Sequence, residues 1–203
     1  LVSFAVDVAT KQDVITPELK AAGNKLMLFK MARDTYDLPD YEQAMKLYDT
    51  VHALIGKQAI VSAYALDGKG IAAAVSKMGF GNKLGVTIDS GVSKDTLFAP
   101  AFGSLVAEVP VAAVDTVKEA FAAAGIADAC AVIGRVNDTK SFVYDEMTLA
   151  MDDAIAIWSG TLEKVFPTVA VDGKDDVKTG LYEATEIYVC KHKVAKPTVF
   201  IPV

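Results

Sequence analysis

Residues 61–85 read VSAYALDGKGIAAAVSKMGFGNKLG, and in them a strand, a glycine turn, a short helix and a second glycine turn follow one another without a spacer. Ile71, Ala74, Val75 and Met78 recur at helical spacing and predict a helix over 71–78, with strands over 59–66 and 83–89 on either side. Between strand and helix, Gly68 and Gly70 lack the Cβ that would hold a ligand away from the main chain. The helix start beyond them presents unpaired N–H groups and a partial positive charge. Lys69 adds a mobile cation. The trio is shorter than a Walker loop and does not match GxGxxG, so a plain tight turn describes it as well as a phosphate cradle does. Gly68, Lys69 and Gly70 are the candidate nucleotide- or phosphate-binding residues.

Working outward, residues 1–9 and 25–31 predict strands, separated by ITPELKAAGN with Pro17 and Gly23 as breakers. The clearest helix is 41–55, with Tyr41, Ala44, Met45, Tyr48, Val51, His52 and Ile55 on one face. Asp40 and Gln43 suggest a capping box at its start and Gly56 marks its end. Residues 103–109 predict a strand. The helix over 111–124 carries Val114, Val117, Phe121 and Ala124 inward and stops at Gly125. Strands follow at 129–136 and 142–144, then a helix over 149–165 with Ile155, Trp158, Leu162 and Val165 apolar, closed by Pro167. Residues 169–180 turn polar and predict a loop, and 186–191 and 196–203 predict two more strands. The expected fold is α/β of the α+β type, a mixed β-sheet flanked by helices, with one domain accounting for residues 1 to about 165.

The chain has 203 residues, 52% of them hydrophobic and 23% charged, with a net charge of −6. That balance argues against nucleic acid and against anionic membranes as partners, and no run of Lys and Arg offsets it. No apolar stretch is long enough and uncharged enough to cross a bilayer. Cys130 and Cys190, far apart in apolar or strand-like contexts, suggest reduced thiols in a cytoplasmic protein, with a disulfide as the alternative. The absence of an initiating Met suggests a piece of a longer protein.

Other constellations carry little chemistry. Of the two histidines, His52 lies on the apolar helix face as an expected core residue and His192 lies among lysines as an expected surface one. Two Cys and two His at wide spacing make no zinc site, and no serine sits in GxSxG. Asp145, Glu146, Asp152 and Asp153 gather around a helix start, where they suit the dipole and cap; Mg²⁺ or acid/base work is the alternative. No catalytic and no metal-binding residue is assigned.

SAYALDGKGIAAAVSKMGFGNKLG resembles the segment SAYxxxxGGIAEAxSKMxFGNxxG of bacterial-type phosphoribosylformylglycinamidine synthases, in their second aminoimidazole ribonucleotide synthetase-like half. Further blocks are similar in the same order: LVSFAV at Leu1, ITPELKAAGNKLML at Ile15, LFAPAFGSLVAEV at Leu97, AFAAAGI at Ala120, AVIGRV at Ala131 and WSGTLEKVFPT at Trp158. KPTVFIPV, from Lys196, resembles the opening of the glutamine amidotransferase domain of these enzymes. The resemblance implies a synthetase C-terminal-like domain over 1–192 and the first strand of a truncated glutaminase over 193–203.

It further implies a parent ligase of purine synthesis that uses ATP, Mg²⁺ and glutamine to convert formylglycinamide ribonucleotide to formylglycinamidine ribonucleotide. The expected partners are the preceding synthetase-like domain and the glutaminase domain. The glutaminase nucleophile would lie beyond Val203, so neither Cys130 nor Cys190 takes that role and the fragment alone is expected to be inactive. Related synthetases write the glycine turn DVSDGG. Aligned here, the two aspartates fall on Ala65 and Gly68, the serine on Asp67 and the glycines on Lys69 and Gly70, so both carboxylates are missing at their positions. Residues 97–104 also lack the glutamate of some relatives. Both departures suit an auxiliary nucleotide rather than a reacting one. The alternatives are a non-catalytic scaffold domain of the same enzyme, or the C-terminal domain of another ATP-binding synthetase of the superfamily.

Overall fold

The computed structural model describes residues 4–6, 8–167 and 185–186. Among these residues seven strands form one sheet: β1 (Lys25–Phe29), β2 (Ser62–Ala65), β3 (Gly85–Ile88), β4 (Leu105–Val109), β5 (Cys130–Asn137), β6 (Ser141–Tyr144) and β7 (Met147–Ala150). Their order is β2-β4-β1-β5-β3-β6-β7. Every neighbouring pair is antiparallel except β3 and β6. The expected mixed sheet with flanking helices is therefore what the chain forms.

Alternation along the central strand divides the helices between two layers. Leu26 and Leu28 of β1 face one core, which takes Ile71, Ala74, Val75 and Met78 from α2 (Gly70–Asn82). Met27 and Phe29 face the other, built with Leu47, Val51 and Leu54 of α1 (Tyr41–Gly56) and Val117 and Phe121 of α4 (Val114–Ala123). Side chains of a strand alternate between faces, so a central strand with helices on both sides must be apolar throughout. The rings of Phe29 and Phe121 stack at 4.7 Å between centroids.

Several expectations need correction. Residues 4–6, 8 and 9 form no strand, and Phe4, Val6 and Val8 are exposed. On α1 the buried face is Ala44, Leu47, Val51 and Leu54, whereas Tyr41, Met45 and Tyr48 are exposed, and so is His52. Apolar residues on two sides of that helix blur its periodicity, so the predicted face straddled both. The second glycine turn is absent because α2 runs through Gly79 and Gly81 and ends on the left-handed Lys83. Gly79 serves packing instead, since a Cβ there would lie 2.8 Å from the Leu84 carbonyl oxygen.

The predicted helix over 149–165 is partly strand. Met147–Ala150 pairs with β6 as a hairpin, and α5 (Met151–Gly160) follows it directly. Asp145 and Glu146 are the two turn residues of that hairpin rather than a helix start, with Asp145 at φ +53°. Only Ile155 of the four predicted inward residues is half-buried; Trp158, Leu162 and Val165 are exposed. The loop over 169–180, the strands over 186–191 and 196–203, Cys190, His192 and the boundary at 192/193 lie outside the described residues.

Candidate functional site

The Gly68–Gly70 turn joins β2 to α2, and its conformation follows from Asp67. The Asp67 carboxylate accepts from the Lys69 N–H at 2.7 Å, the local Asx-type bond that aspartate makes two residues on. The Asp67 carbonyl accepts from the N–H of Gly70 and of Ala101, both at 3.2 Å. Gly70 is buried at φ +67°, and a Cβ there would lie 2.5 Å from the Ala99 carbonyl oxygen and 2.9 Å from that of Leu97. Glycine at 70 is thus required by backbone approach as well as by dihedral angle. Gly68 lies under the Phe102 ring, 3.3 Å from where its Cβ would be.

The partner segment is α3 (Lys94–Phe98) and the loop that follows it into β4. That loop is tied in by Arg33, whose Nη2 donates to the Phe102 carbonyl at 2.8 Å, and by the Tyr48 hydroxyl, which donates to the Gly103 carbonyl at 2.9 Å. Ser104 is buried and its Oγ accepts from the Met31 N–H at 3.0 Å. Of the three predicted site residues, Gly68 and Lys69 are exposed and Gly70 is inside. Two amides of the turn already have acceptors, and a carboxylate sits at the helix start. An incoming phosphate would meet the Lys69 ammonium and the helix dipole, opposed by the Asp67 charge.

Sequence reasoning missed a fully buried carboxylate. Glu108 on β4 is fully buried, and its carboxylate accepts from the N–H of Lys20 at 2.7 Å, the N–H of Ala21 at 2.9 Å and the Asn24 side-chain amide at 2.7 Å. These bonds strap residues 15–24 across the sheet end, where Ser62 Oγ also donates to the Pro17 carbonyl at 2.7 Å. A lone acid in the otherwise apolar LVAEV was the available signal. Three donors satisfying one buried carboxylate describe a structural anchor.

The remaining candidates separate from one another. Asp152 pairs with Lys83 at 2.9 Å, which holds its carboxyl below the usual range. Glu18, hydrogen-bonded to Lys20 and Thr16, is lowered to about 2. Among the described residues, no three His, Cys, Asp or Glu side chains converge to hold a metal. Cys130 is a free thiol, half-buried, and burial pushes it up to about 11. Two cavities occur. One of about 450 Å³ is lined by Lys30, Arg33, Gln43 and Asp128 among others, with Arg33 and Gln43 already bonded to backbone carbonyls. The other, about 560 Å³ and mainly apolar, lies between α2, α3 and the β6–β7 hairpin. Neither is lined by Gly68, Lys69 or Gly70. Among the described residues no helix is long and apolar enough to cross a membrane.

Residues 14–145 match the family described as AIR synthase related protein, C-terminal domain, and the chain belongs to that family. Solved structures share the fold at low identity. Thermotoga maritima PurL complexed with AMPPCP is 10% identical with a TM-score of 0.59, covering 71% of this chain and 27% of that one. PurLQS from the same organism is 12% identical at 0.60, covering 70% and 28%. E. coli HypE is 15% identical at 0.51, covering 66% and 50%. The chain spans less than a third of the length of those PurL chains. None of the curated proteins compared with it matches.

Proposed function

We propose that this chain is the carboxy-terminal synthetase-like domain of a phosphoribosylformylglycinamidine synthase, a cytoplasmic ATP- and glutamine-dependent carbon–nitrogen ligase of purine synthesis. The observation that carries the reading is the family match over residues 14–145, together with a fold that superposes on the enzyme whose T. maritima form is phosphoribosylformylglycinamidine synthase II. In such a ligase ATP, with Mg²⁺, supplies the phosphoryl group that activates an amide oxygen for displacement by glutamine-derived ammonia. This domain contributes no acid, base or nucleophile to that sequence. Its share is to offer Gly68, Lys69 and Gly70 to a polyphosphate and to seat the neighbouring synthetase-like and glutaminase domains.

Calorimetry with ATP or ADP in the presence of Mg²⁺ tests the loop. Binding heat that disappears in Lys69→Ala supports it. A wild-type chain that gives no heat overturns the nucleotide role and leaves the scaffold reading, which the Asp67–Lys69 bond favours because it already occupies an amide of the turn. The isolated 203 residues should show no ligase turnover; turnover by them would overturn the assignment of a non-catalytic share.

A further inference from the structure

Residues 4–9 read FAVDVA, with Phe4, Val6 and Val8 at strand spacing. Successive side chains of an extended chain point to opposite sides, so these three share one face; helical spacing would set Val6 opposite the other two. In this domain the face lies in solvent. Phe4, Val6 and Val8 are 90–96% exposed, and the seven-stranded sheet pairs none of the described residues before Lys25. The arm nevertheless leaves from a fastened base. Thr10 is extended at φ −79° and ψ 123°, the 3-10 turn Lys11–Asp13 lies against α1, and Ile15 packs on the core beneath α1 and α4. Beyond it the strap is bonded to Ser62 and Glu108. An apolar, strand-patterned arm thus projects from a fixed point of a folded domain.

We infer that the arm bearing Phe4, Val6 and Val8 is a β-strand added to the sheet of the synthetase-like domain that precedes this one in a longer chain, with those three side chains on that sheet's buried side. The inference rests on the function proposed above and names the element through which that neighbour is seated. Strand addition satisfies both halves of the segment. Its main-chain N–H and C=O groups gain partners along a sheet edge, and its alternate apolar side chains set the register there. Elements close in sequence usually lie side by side, so the sheet it joins is the one next to it along the chain. A domain that holds its own first strand outside its own sheet is tied to its neighbour by backbone pairing rather than by side-chain contact alone.

Hydrogen exchange of the arm's amides, read on the 203-residue chain and on the longer protein from the same gene, tests this. In the 203-residue chain they should exchange at close to the rate of an unstructured peptide, and in the longer protein about a hundredfold or more slower. Val6→Lys should leave the circular dichroism and thermal midpoint of the 203-residue chain unchanged, because that side chain is in solvent. In the longer protein it should cut the protection about tenfold or more, whereas Ala5→Lys, on the opposite face, should keep most of it. An arm that exchanges freely in the longer protein overturns the inference, as does protection that Val6→Lys leaves intact or that Ala5→Lys removes equally. Protection in the 203-residue chain that rises with concentration assigns the arm to a second copy and overturns it too. A longer protein with no synthetase-like domain ahead of this one overturns the proposed function as well; one that has the domain and an unprotected arm overturns this inference alone.

Discussion

The two faces of the sheet are finished differently. On the side of α1 and α4, two helices cover the strands, Phe29 and Phe121 stack at the centre, and the large side chains of that core are buried. On the side of α2, that helix and Leu97 of the short α3 seal the inner strands, but the β6–β7 hairpin beyond them borders a cavity and α5 turns apolar residues outward. A face with two helices completes itself within the chain. A face with one long helix over the sheet centre leaves apolar surface at its margin, and it is the face that the Gly68–Gly70 turn enters.

The largest expected effect breaks the closed face: Phe121→Ala should cost about 3–5 kcal/mol in urea unfolding, because a stacked, fully buried ring leaves a cavity. Glu108→Ala should cost about 1–3 kcal/mol, since it removes the shared acceptor of the Lys20 and Ala21 N–H groups and of the Asn24 amide. A value near zero would mean that the strap over residues 15–24 is dispensable. Gly70→Ala should cost about 1–3 kcal/mol through its positive φ and the Ala99 carbonyl, and its effect should fall on the α2–α3 junction in hydrogen exchange. At the open margin, Ile157→Ser should change the stability of the monomer by less than about 0.5 kcal/mol. A loss comparable to Phe121→Ala there would erase the contrast between the faces.

The smallest effect concerns Cys130, whose burial holds the thiol neutral up to about 11 against an ordinary 9.0. A pKa raised on folding means that stability is fully present below pH 9 and falls as the pH climbs toward 11. Mass spectrometry of the native chain at pH 8 should find Cys130 alkylated far more slowly than in the urea-unfolded chain.

Most strands and helices were legible because their cores obey local periodicity. Ile71, Ala74, Val75 and Met78 are buried as their spacing predicts, and Val117 and Phe121 likewise. The failures have local causes. On α1, Tyr41, Met45 and Tyr48 add an apolar stripe outside the buried one, so a single periodic fit could not separate them. At 147–150, MTLA leads straight into helix-forming residues, and the strand exists only because β6 lies beside it. For the site, the glycines were visible but the role of Asp67 was not. Its aspartate-glycine turn chemistry is local, whereas the carbonyls that exclude a Cβ at Gly70 come from residues 97 and 99.

By itself the sequence determined the family, the class of fold and the position of the glycine turn, because ordered motifs and short-range periodicity are written in consecutive residues. Tertiary structure alone decided that Glu108 anchors the strap, that Gly70 answers to a distant backbone, and that the α2 face has an open margin. Each of those depends on groups from separate segments brought within hydrogen-bond or van der Waals distance, and no spacing along one chain records such an approach.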